Sequence, residues 1–105
     1  MPFTRQPWES PESDLEADDF CAVCLIDENP SGEDKIKANC KLPVRSAPGG
    51  AYNINALQAA YSALRGGRGG VSATPESKRE AARRLLSLYR EAGLEVPDGL
   101  RQLAR

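Results

Sequence analysis

The stretch TPESKREAARRLLSLYREAGLEVP, residues 74–97, leaves the chain little conformational choice. Thr74 is a residue type that caps a helix, Pro75 suits the first turn, and Glu76 favours the positive end of the helix dipole. Apolar side chains then recur at Ala81, Ala82, Leu85, Leu86, Leu88, Tyr89 and Ala92, one wide stripe with a 3.6-residue period. Glu80 and Arg84 stand four apart in the favourable order on the polar face. Gly93 fits the left-handed residue that closes a helix, and Pro97 blocks its return. The pattern predicts a helix over residues 75–92.

Such a helix must bury its stripe. NINALQAAYSALRGG supplies the first partner: Asn53 is a cap, Ile54, Leu57, Tyr61 and Leu64 share a face, and Gly66 and Gly67 stop the helix. Each large side chain buried in the pair contributes roughly 1.5–3 kcal/mol. A third surface comes from a short final helix starting near Pro97 or Asp98, with Leu100 and Leu103. It comes equally from Leu15, Phe20, Val23, Cys24 and Leu25 or Ile26. The run from Ala17 to Ile26 is too short to be typed by period, and Pro43 biases Leu42 away from helix. The expected fold is mainly α: a small bundle of about three to four helices with long loops and at most minor β.

At 105 residues there is room for one small domain. Residues 1–15 are poor in apolar side chains and hold three prolines; they read as an extended arm before a helical domain over residues 16–105. Phe3 and Trp8 are the arm's only large anchors. No apolar run follows the first residues as in a leader peptide, and no stretch approaches the ~20 apolar residues of a membrane span. A cytoplasmic or particle-associated protein is expected. Charge is uneven: residues 1–40 carry three basic and ten acidic groups, and residues 41–105 carry eleven basic and five acidic groups. This marks either an anion-binding half or two halves lying against each other.

Cys21 and Cys24 have Cys-x-x-Cys spacing, and Cys40 follows. A structural zinc site needs four ligands, and a chain with three cysteines and no histidine falls one short. Asp18, Asp19, Asp27 or Glu28 would have to complete it. The redox form of this spacing belongs at a helix start in a βαβ setting, which is lacking here. Buried, idle thiols in a reducing compartment are therefore expected, with no cofactor; a site at Cys21, Cys24 and Cys40 is the metal alternative, and a disulfide or redox pair is the lesser one. The Arg-Gly-Gly pair at residues 65–70 reads as an interhelical turn more than as an RNA-binding tract. Arg65, Arg68, Lys78, Arg79, Arg83, Arg84 and Arg90 remain the candidates for phosphate contact. With no histidine and no nucleophile motif, an enzyme is not expected.

Three runs together, CLIDENPSGEDKIKANCKLPVR, NINALQAAYSALRGGRGG and ESKREAARRLLSLYREAGLEVP, resemble a small domain of tailed-phage and prophage proteins associated with prohead (head-maturation) protease and capsid genes. The resembling parts are Lys41-Leu42-Pro43, the alanine-rich helix over residues 55–64, the glycine-rich turn over 65–70 and the basic helix over 78–89. PWESPES resembles the tryptophan-containing arm before it. The resemblance implies a virion-associated accessory domain that binds a protein partner, with capsid or prohead protease as candidates. As the arm's aromatic anchors, Phe3 and Trp8 are the residues expected to meet it. The resemblance carries no catalytic residues. Nucleic-acid binding by the basic helix and a cysteine-ligated metal domain are the alternatives.

Overall fold

A computed structural model describes residues 2–67 and 70–105. Helix α3 (Pro75–Glu91) forms where its stripe requires it. The Thr74 side chain accepts from Ser77 N at 3.1 Å. At the other end Gly93 takes φ 74°, and Leu94 N–H reaches back to the Tyr89 carbonyl at 2.9 Å. Those two features make a Schellman stop, which glycine's freedom at positive φ permits. Helix α2 (Ile54–Leu64) starts from Asn53, whose side-chain oxygen accepts from Ala56 N at 3.1 Å. Helix α4 (Asp98–Leu103) packs on α3 through Leu100. Leu57, Leu64, Leu85, Tyr89 and Leu100 are all buried.

The expectation of a mainly α bundle is overturned. The described residues form four helices and two two-stranded sheets, a small α/β domain closed by a disulfide. The third surface against α2 and α3 is a β-hairpin. Strand β2 (Cys24–Asp27) pairs antiparallel with β3 (Cys40–Pro43), Cys24 opposite Pro43 and Asp27 opposite Cys40. The physical reason lies in residues 23–26, an apolar run buried throughout rather than on one stripe. Strands covered on both faces look like this, and periodicity cannot separate them from a buried helical turn. Here α3 covers one side of the hairpin, and α1 (Ala17–Ala22) covers the other.

The core splits accordingly. Leu25, Ile26, Val44, Leu57, Ala60, Leu85 and Leu100 belong to the larger cluster. Phe20, Cys21, Val23, Cys24 and Cys40 form a smaller one beneath α1, with Leu15 at its edge. The second sheet joins β1 (Phe3–Thr4) in parallel to β4 (Tyr52–Asn53), so the start of the arm is stitched to the start of α2.

Candidate functional site

Helix α1 ends at Ala22, so Cys21 stands on its last turn while Cys24 opens strand β2. The two do not share a helix face. Cys40 opens β3 with its Cα 5.3 Å from that of Cys21, and the two sulfurs are joined in a disulfide. This corrects the expectation of three idle thiols. An odd count leaves one cysteine over, but it does not stop the other two from pairing. Cys24 is the remaining free thiol, and burial, then the carboxylates of Glu12 and Asp27, pushes its pKa up to about 12.

The disulfide lies under a polar loop organised by Asn29. Its Oδ1 accepts from Ile36 N at 2.8 Å and from Asn39 Nδ2 at 3.2 Å, which fixes the orientation of the amide. Its Nδ2 then faces four acceptors: Asp27 Oδ1 at 2.8 Å, Cys40 Sγ at 3.2 Å, the Ile36 carbonyl at 3.3 Å and Cys21 Sγ at 3.6 Å. Asp27 Oδ2 is paired with Lys35. Burial works to raise the Asp27 pKa, but Lys35 and the hydrogen bonds from Asn29 outweigh it and hold the carboxyl below its ordinary value. Of the carboxylates weighed as a fourth metal ligand, Asp27 alone converges: its oxygen and the sulfurs of Cys21 and Cys40 lie within 4.8 Å of one another. Cys24 stands outside that group, and Asp18 and Asp19 are exposed on α1. Glu28 points the other way and accepts from Thr74 N at 3.0 Å and Ser77 Oγ at 2.9 Å. Those bonds hold its pKa below the usual value.

The arm is held to the domain by its backbone. Gln6 O accepts from Asn53 Nδ2 and Asn55 Nδ2, each at 2.9 Å. Phe3 is half-buried with its ring 5.9 Å from that of Tyr52, and the Arg45 guanidinium lies 4.8 Å from the Tyr52 ring centre. Trp8 lies half-buried on the small-residue face of α2, with a hollow on either side. One, of about 500 Å³, is lined by Ala59, Ser62, Ala63, Gly67 and Gly70. The other, of about 200 Å³, is lined by Ser10, Leu42, Pro43, Ala56, Ala59 and Ala60. Leu42 on its floor has φ 63°, left-handed backbone that a leucine adopts at a cost of ~1–3 kcal/mol. The bias away from helix at Leu42 holds, but the residue is not extended.

The basic candidates divide. Arg79, Arg83, Arg84 and Arg90 are exposed on α3, and Lys78 is half-buried. At 100° per residue Arg79, Arg83 and Arg90 fall on one edge of the helix, and Arg84 falls with Glu80 and Glu91 on another. Arg83 Nε donates to the Ala104 carbonyl at 2.9 Å. Arg65 lies over the Tyr61 ring, 5.3 Å from its centre. Arg68 lies outside the described residues. Among the described residues none of these side chains forms an ion pair with the acidic half; the ion pairs there are Lys35–Asp27 and Arg101–Asp98.

No protein family, curated protein or solved structure matches this chain. No helix among the described residues is long and apolar enough to cross a membrane. The residues that sequence reasoning missed are asparagines. Asn29 and Asn55 carry no motif, and Asn53 was legible only as a helix cap; apart from Asp27 beside Asn29 and the cap at Ala56, the partners of their amides lie 7 to 50 positions away in sequence, beyond any local pattern.

Proposed function

We propose that the chain is a non-catalytic protein-interaction domain, of the phage-associated accessory kind its sequence resembles, and that it docks an extended segment of a partner protein beside Trp8. The observation that carries this reading is the placement of Trp8 across the alanine face of α2, with an open hollow on each side. Interface energy concentrates in aromatic anchors of this sort, and the alanines and glycines around it allow a second backbone to approach closely. Charge narrows the occupant. Glu9, Glu12 and Asp14 follow Trp8 along the arm and are exposed, so the fitting segment combines small apolar side chains with basic neighbours. Capsid protein and prohead protease are the first partners to try.

Trp8 is the chain's one tryptophan, so its fluorescence reads the groove directly. Titrating either partner should shift Trp8 emission saturably, and added salt should weaken the interaction. Ala59 is exposed, so Ala59→Glu should leave circular dichroism unchanged and weaken binding at least ~10-fold, about 1.4 kcal/mol. Binding that leaves Trp8 emission and the Ala59→Glu affinity untouched refutes the site.

A second reading rests on the edge formed by Arg79, Arg83 and Arg90, which contacts no carboxylate among the described residues. Three phosphate contacts give a salt slope near −2.7, so affinity for a DNA duplex would fall about 40-fold between 50 and 200 mM salt. Double reversal, Arg79→Glu with Arg83→Glu, should abolish it, and Arg84→Glu should matter less.

A further inference from the structure

The amide nitrogen of Asn29 has two hydrogens and four acceptors around it: two sulfurs, one carboxylate oxygen and one carbonyl oxygen. The two oxygens have backbone donors as well, Asn29 N on Asp27 Oδ1 at 3.0 Å and Asn39 N on the Ile36 carbonyl at 3.0 Å, while the two sulfurs face the amide. Two sulfurs and two oxygens converging on one point form an environment that a cation can occupy in place of the amide. We propose that, once its disulfide is reduced, the chain binds one divalent zinc-class cation at Cys21, Cys40 and Asp27, the ion displacing the Asn29 amide and taking the Ile36 carbonyl oxygen or a water in fourth place.

The chemistry of the donor set supports the choice. Two thiolates select a borderline-soft ion, and one carboxylate with an oxygen completes four-coordination. The three side-chain ligand atoms already lie within 4.8 Å of one another. Tetrahedral zinc–thiolate geometry places two sulfurs about 3.8 Å apart, so the released thiolates have to separate only within the space they share. Two thiolates and a carboxylate leave the site with one net negative charge, and the Lys35 ammonium on Asp27 Oδ2 balances it. That same contact orients the carboxylate so that Oδ1 faces the sulfurs, the role outer partners play at metal sites.

The steps balance with a dithiol as the reductant. The dithiol delivers two electrons and two protons to the Sγ–Sγ bond, which breaks into two thiols, while the dithiol closes to its own disulfide. The cation then displaces the two thiol protons to solvent. Cys24 takes no part, since it is buried outside the cluster.

The test uses the full chain, reduced with a phosphine, freed of metal and then titrated with zinc against a chromophoric chelator. One equivalent should bind. Cobalt should give thiolate charge-transfer bands with tetrahedral d–d intensity. Cys21→Ser and Cys40→Ser should each weaken binding at least 100-fold and Asp27→Asn about 10–100-fold, whereas Cys24→Ala should leave stoichiometry and affinity unchanged. The oxidised chain should bind none. Circular dichroism runs alongside: a reduced chain that loses structure and regains it with zinc supports the site, because ligation then drives folding. A folded reduced chain that takes up no zinc overturns the proposal. So does a chain that stays unfolded with zinc present, or zinc uptake that depends on Cys24 and is indifferent to Asp27.

Discussion

Opening the Cys21–Cys40 bond should cost the domain a large part of its stability. The bond spans 19 positions. In the chain-entropy description, closing a loop of ~20 residues removes about 11 cal/mol/K from the unfolded ensemble, or about 3 kcal/mol at 25 °C. Total stability for a domain of this size is ~5–15 kcal/mol, so the bond is worth a fifth of it or more. The comparison is best made within one chain, oxidised against phosphine-reduced, in a Cys24→Ala background that removes the thiol able to reshuffle. Excess chelator in both arms keeps metal out. With a urea slope near 1.5 kcal/mol/M, the midpoint should fall by about 2 M, and thermal unfolding should move down by roughly 12–24 °C. The slope itself should rise for the reduced chain, whose unfolded state is less restricted. Superimposed curves for the two redox forms would refute the reasoning, because closing the loop would then not restrict the unfolded ensemble.

Three further outcomes are expected. Leu85 is fully buried between α3 and the rest of the core, so Leu85→Ala should cost ~2–5 kcal/mol by chemical denaturation. Glu28 has a folded-state pKa below its unfolded one, so its contribution is complete above about pH 4.5 and is lost as pH falls through the depressed value; Glu28→Gln should therefore flatten the acid limb of the stability curve and leave the slope above pH 6 unchanged. With its pKa near 12, Cys24 is thiolate in about one molecule in 10⁴ at pH 8, so an aromatic disulfide reagent should titrate no thiol in the native oxidised chain and one in denaturant.

The long elements were legible because their information is local. The expected helix over residues 75–92 is found as Pro75–Glu91, and both Thr74 and Asn53 cap the helices they were expected to cap. The same holds for the short final helix, found as Asp98–Leu103. What could not be read lies where a residue's partner is distant. Residues 24–27 become a strand because residues 40–43 arrive to pair with them, and nothing within the run itself decides this. The cysteines misled for a related reason: Cys-x-x-Cys spacing drew Cys21 towards Cys24, but the turn at Val23 sends them apart and brings Cys40 in. Trp8 stood out in the sequence as a large aromatic in an apolar-poor arm; its seat on α2 became visible only once the alanine face had a position in space.

Asn53 shows how much rests on one amide. Its oxygen begins α2 and its nitrogen holds the arm at Gln6, in a site only 4 % exposed. Hydrolysis of that amide to a carboxylate would spare the first contact and turn the second into repulsion between two oxygens. Slow chemical ageing at this single residue would therefore loosen the tryptophan segment before it touched the helices.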